Sequence, residues 1–153
     1  MGSAPARRHN AAMKRRGAFE SGPERKKFSG GLQVAVVDDS ALMREHVIDS
    51  LSTVNGVAEI RQAADVPAGL RLLETRKPDL LVLDIELPGQ SGLDLLKIAR
   101  QRDYDAVIIM FSIHDHPALR QKCAELGADF FFHKLSEFDR VAEVCRELAE
   151  RPD

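Results

Sequence analysis

From residue 33 onward the chain alternates between short apolar runs and longer stretches in which apolar residues recur every three or four positions. The runs lie at 33–37, 57–62, 80–83, 106–111 and 129–132, and three of them are rich in Val and Ile, as strands buried on both faces are. Between and after them the spacing turns helical. Met43, Val47, Leu51 and Val54 share one stripe, with Ser40 placed as an N-cap. Val66, Leu70 and Leu73 form a second stripe, closed by Pro78, and Leu95, Leu96 and Ala99 a third, over residues 91–101. The fourth helix begins at Pro117, a favoured first-turn residue, and stops before Gly127. The last carries Phe138, Val141, Ala142, Cys145 and Leu148.

Five strand–helix alternations predict an α/β fold: a doubly wound, five-stranded parallel sheet with helices on both faces. In such folds ligands sit beyond the carboxyl ends of the strands, where strand order reverses. Asp38 and Asp39 follow the first run, Asp84 ends the third, Ser112 ends the fourth, and the fifth leads through His133 to Lys134. The second run delivers nothing comparable, as expected of an outer strand.

Three carboxylates, a hydroxyl and an ammonium therefore converge on one edge. Carboxylates crowded together repel by roughly 1–4 kcal/mol per pair. A hard divalent cation, Mg²⁺ or Mn²⁺, removes that cost, and Mg²⁺ suits one or two carboxylates with waters and phosphate oxygens. Three carboxylates balance Mg²⁺ plus Lys134. An Asp carboxylate is a competent nucleophile toward phosphorus, and phosphoryl transfer asks mainly for positioning and cationic clamping. Asp84, central in the sheet, is the candidate nucleophile. Asp38 and Asp39 are the metal holders, and Lys134 and Ser112 the contacts to phosphoryl oxygens.

Charge is lopsided. Residues 1–30 hold eight Lys or Arg against Glu20 and Glu24, a net of +6, which leaves −8 for the rest of a chain whose total is −2. With its Gly, Pro and Ser and no periodicity, this stretch reads as a basic disordered arm. Such an arm suits nucleic acid, an anionic surface or an acidic partner, and equally a solvated extension. Residues 31–150 form the domain and 151–153 a tail. No apolar stretch is long enough to cross a bilayer, and the N-terminus lacks the apolar segment of a secretory signal. Cys123 and Cys145 read as reduced packing thiols of a cytoplasmic protein.

The segments "VVDDS", "LVLDIELPGQSG", "FS" and "GADFFFHK", in that order, make the chain from about Leu32 to Ala149 resemble a response regulator receiver domain of two-component signalling. The resemblance implies sheet order 2-1-3-4-5, the order known for chemotaxis-type receivers. It makes Asp84 the phosphoacceptor, with Asp38, Asp39 and the Glu86 backbone carbonyl completing the Mg²⁺ site. Ser112 becomes the switch hydroxyl and Lys134 the family lysine, while Phe131 is an aromatic that swings inward on signalling. Pro88 and Gly92 fit the tight loop after the third strand. Glu86 and His114 occupy positions that tune aspartyl-phosphate lifetime.

Two departures stand out. Ile113 replaces the usual Ala or Gly and should narrow the approach for small phosphodonors. Leu135 stands where Pro is common, often after a cis bond, which leaves the Lys134–Leu135 peptide open between cis and trans. The implied partners are a sensor histidine kinase or phosphotransfer protein, a downstream protein target, and a second copy docked through the fourth helix, fifth strand and fifth helix. Because the sequence stops just after the last helix, a single-domain switch acting by protein contact is expected. Nucleic-acid binding by the arm ranks below it. So does an aspartate-nucleophile phosphatase, which needs a second Asp where Glu86 stands, and a cap over its substrate.

Overall fold

The computed structural model describes residues 30–150. The tail and, apart from Gly30, the basic arm lie outside the described residues. Five strands, β1 (Leu32–Val37), β2 (Val57–Ala63), β3 (Leu80–Asp84), β4 (Val107–Ser112) and β5 (Phe130–His133), alternate with five helices. The helices are α1 (Ala41–Ser52), α2 (Val66–Thr75), α3 (Gly92–Gln101), α4 (Pro117–Leu126) and α5 (Phe138–Glu150). All strands pair in parallel, in the order β2-β1-β3-β4-β5.

The elements form where local chemistry asks for them. The Ser40 hydroxyl accepts from the Met43 amide at the start of α1, and Ser91 and Asp94 close a capping box on α3. Gly127 ends α4 at φ +106°, a left-handed cap that suits glycine. Helix α2 stops at Thr75 rather than running to Pro78, because Arg76 turns to an extended backbone. Strands β4 and β5 each begin one residue later than the apolar runs suggest, so Ser112 and His133 are their last residues.

Alternation along the strands builds two cores. Leu32, Val34 and Val36 of β1 join Val82, Ile109, Phe111 and Phe132 beneath α1 and α5. Ala35, Val37, Leu81, Leu83, Ile108, Met110 and Phe131 face α2, α3 and α4. Cys123 and Cys145 are buried thiols, and burial pushes each up to about 11. At one margin, β2 is largely polar and half open: Arg61 donates to the carbonyls of Leu72 and Arg76, and Arg76 pairs with Glu59. No helix among the described residues is long and apolar enough to cross a membrane.

Strand order reverses around β1, whose neighbours are β2 and β3. Val37 is in register with Leu83, so the residues that follow each emerge side by side at the carboxyl edge of the sheet.

Candidate functional site

Asp38 leaves β1 buried, at 3% exposure, and Asp39 leaves it exposed. The Asp38 carboxylate accepts from the Ser40 amide at 2.9 Å. Its backbone carbonyl accepts from the Arg44 guanidinium at 2.6 Å, and Arg44 also donates to Gln62 on β2. Asp84, 5% exposed, closes β3 and accepts from the Glu86 amide at 3.2 Å. Behind it the chain folds back tightly. Gly92 donates to the Ile85 carbonyl at 2.7 Å, and Glu86 bridges to Ser91.

One carboxylate oxygen from each of Asp38, Asp39 and Asp84 lies within 4.8 Å of the others. Lys134 Nζ lies 2.7 Å from Asp38 Oδ2 and 3.2 Å from Asp84 Oδ2, with its side chain only 8% exposed. The lysine thus supplies one of the positive charges this cluster needs. Burial, and then the neighbouring Asp38, push the Asp84 carboxyl up to about 6, against the opposing pull of Lys134. For Lys134 burial works downward. Its hydrogen bond to Asp38 and the charge of Asp84 outweigh that and hold the ammonium above the usual lysine range. Three gathered carboxylates against one ammonium leave the cluster net negative, and this oxygen-only donor set fits a hard divalent cation.

Ser112 is 1% exposed and aligned in register with His133; its hydroxyl accepts from the His114 amide at 3.0 Å. Its carbonyl accepts from the Lys134 amide at 2.9 Å, tying the ends of β4 and β5 together. At the rim, His114 Nε2 meets Glu86 Oε2 at 2.8 Å, both side chains half exposed. Ile113 is 51% exposed. No cis peptide bond occurs among the described residues, so the Lys134–Leu135 bond is trans. Phe131, expected to swing inward on signalling, is already 4% exposed, with the Arg120 guanidinium 4.6 Å from its ring.

The model of the response regulator receiver domain matches residues 34–146, about three-quarters of the chain. The chain belongs to the receiver domain family.

Among curated proteins this receiver is 30% identical over 122 residues to "Probable transcriptional regulatory protein NarL" of Mycobacterium tuberculosis, covering 80% of the chain and 56% of that protein. It is 32% identical over 122 residues to a "Protein-glutamate methylesterase/protein-glutamine glutaminase" of Clostridium acetobutylicum, covering 78% of the chain and 35% of that protein. The receiver therefore spans about half the length of the first relative and about a third of the second. Among solved structures it resembles the signal receiver domain of the M. tuberculosis NarL regulator, with TM-score 0.72, 29% identity, and 80% and 98% of the two chains covered. The response regulator domain of Thermotoga maritima CheB follows, with TM-score 0.68, 26% identity and coverage of 80% and 99%. Receivers of this family typically bind Mg²⁺ and work with histidine kinases and downstream targets.

The receiver brings Asp38, Asp39, Asp84 and Lys134 into one cluster and sets Ser112 at the neighbouring strand end, while Ile113, Glu86 and His114 form its outer rim. Sequence reading missed Arg44 and the cross-rim pairing of Glu86 with His114. Arg44 reads as an ordinary charged helix position although its Asp38 partner is only six residues away, and Glu86 and His114 meet only because the parallel topology sets β3 beside β4.

Proposed function

We propose that the protein is a phosphorylation-activated signalling switch that accepts a phosphoryl group on Asp84 from a phosphohistidine of a sensor kinase or phosphotransfer protein. The observation that carries this reading is the placement of Lys134 Nζ within 2.7 and 3.2 Å of two carboxylates that gather with a third inside 4.8 Å. One Asp84 carboxylate oxygen attacks phosphorus, the O–P bond forms, and the N–P bond to the donor imidazole breaks. Asp38, Asp39, Asp84 and the Glu86 carbonyl would hold Mg²⁺, which supplies neutralising charge for the phosphoryl oxygens. Lys134 shields the incoming dianion from Asp38 and Asp84, and the buried Ser112 hydroxyl donates to a phosphoryl oxygen.

The signal leaves through α4, β5 and α5. Arg120 on α4 stacks on Phe131, pairs with Asp115 after β4 at 2.7 Å and reaches Glu137 before α5 at 3.4 Å. A shift of Ser112 toward the phosphoryl group would be felt at this junction, where a target or a second copy would dock. Glu86 and His114, bridged over the rim, are placed to control water at the acyl phosphate, and Ile113 to restrict small donors. The position two residues after Asp84 carries Glu86, paired with His114, and not the second Asp an aspartate-nucleophile phosphatase needs, which favours a switch.

Incubation with a phosphorylated histidine kinase should give Mg²⁺-dependent label that is acid-stable and hydroxylamine-labile, and that disappears in Asp84→Asn. Label that survives Asp84→Asn, or none without chelator, would refute the reading.

A further inference from the structure

The turn that presents Lys134 is held by a side chain not assigned to the chemistry. Residues 134–136 form a turn, Leu135 is 73% exposed, and no proline stiffens the stretch. Lysine is a long stem with roughly 2 kcal/mol of rotamer entropy, so its ammonium stays aimed only if its backbone is fixed. The Lys134 amide is anchored to the Ser112 carbonyl, which secures the near side of the turn.

The far side is secured by His133. Its Nδ1 accepts from the Leu135 amide at 3.1 Å and from the Ser136 amide at 3.3 Å. Its backbone amide donates to Glu137 Oε1 at 2.9 Å, and its carbonyl accepts from the Glu137 amide at 3.0 Å. An acceptor reaching the amides two and three residues ahead is what Asn and Asp supply in turns. To accept there, the imidazole must carry its proton on Nε2. A histidine that merely ended a strand at the surface would have no need to gather two consecutive amides.

We infer that His133 is a positioning residue for Lys134: its imidazole closes the β5–α5 turn and so sets the aim of the ammonium at Asp38 and Asp84. The inference rests on the proposed phosphoacceptor reading and names a residue that makes it work. Misplacing a clamping charge by about an ångström costs up to about a hundredfold in rate.

The test compares initial rates of Asp84 labelling by a phosphorylated histidine kinase with Mg²⁺ in the full chain and in His133→Ala, His133→Asn, Lys134→Ala and the His133→Ala/Lys134→Ala double variant. We expect His133→Ala to label about ten- to a hundredfold more slowly. His133→Asn, whose amide oxygen reaches the same two amides, should recover most of the rate. In the Lys134→Ala background the His133 substitution should cost nothing further, because the two residues act as one. Faster exchange of the Leu135 and Ser136 amides in His133→Ala, with an unchanged melting temperature, would show the opened turn in a folded protein. His133→Ala labelling as fast as the parent, no recovery in His133→Asn, or an equal further loss in the double variant would each overturn the inference. Failure of the parent chain to take label from the phosphorylated kinase would instead sink the phosphoacceptor reading, and this one with it.

Discussion

A Cβ placed on Gly92 would stand 1.9 Å from the Asp84 carbonyl oxygen and 2.9 Å from the carbonyl carbon, and the obstruction is backbone that cannot swing aside. Gly89, three residues earlier in the same loop, has φ +80° and nothing within 4 Å of its imagined Cβ. The two glycines are thus required for different reasons, one for space and one for backbone conformation. Gly89→Ala should cost about 1–2 kcal/mol, the left-handed penalty alone. Gly92→Ala should cost more, about 3 kcal/mol, by overpacking, and should slow Asp84 labelling by shifting the strand end. Urea unfolding of both variants, with labelling of the folded fraction, checks the contrast. The loop had been legible as tight from Pro88 and Gly92, but which glycine answered to which constraint was not, since that depends on how closely α3 returns to β3.

At the scale of elements, the amino ends of β4 and β5 are joined by a buried cross-tie. The Arg100 side chain, 9% exposed, donates to the carbonyls of Gly127, Tyr104 and Ala106 at 2.8–2.9 Å and to Asp129 Oδ2 at 3.0 Å. Asp129 also accepts from the Ile108 amide at 2.9 Å. The planar fork serves several acceptors at once, which a lysine ammonium cannot do. Arg100→Met should therefore lose about 3–5 kcal/mol by leaving Asp129 buried without this partner, and Arg100→Lys should recover little, as read by urea midpoints. Because the tie lies at the end of the sheet opposite Asp84, the folded fraction of either variant should still take label. The helices and strands themselves were readable from spacing and from Ser40, Ser91, Pro117 and Gly127. Arg100 was not: it reads as an ordinary charged helix position, and its acceptors lie up to 29 residues away, brought close only by the crossover.

For the molecule as a whole, the carboxylate cluster trades stability for readiness. Asp84 titrates near 6 in the folded chain and at 3.8 when exposed. Between those values the folded state holds the extra proton, so this group's contribution falls as pH rises from about 4 through 6. The loss is on the order of 3 kcal/mol, and it is absent below the lower value, where both states are protonated. Asp84→Asn should escape it: in chelator, unfolding free energy should drop between pH 4 and 8 by about 2–3 kcal/mol more in the parent than in the variant. Millimolar Mg²⁺ should close the gap at pH 8 and leave it unchanged at pH 4, where protons outcompete the cation. Equal pH profiles for the two proteins would contradict this.

The polar margin at β2 has its own consequence. An unpaired strand invites a neighbouring molecule to continue the sheet, and here the invitation is declined by Glu59, Arg61 and Arg76, whose charges are already engaged with one another and with the end of α2. Continuing the sheet past β2 would first require those contacts to break.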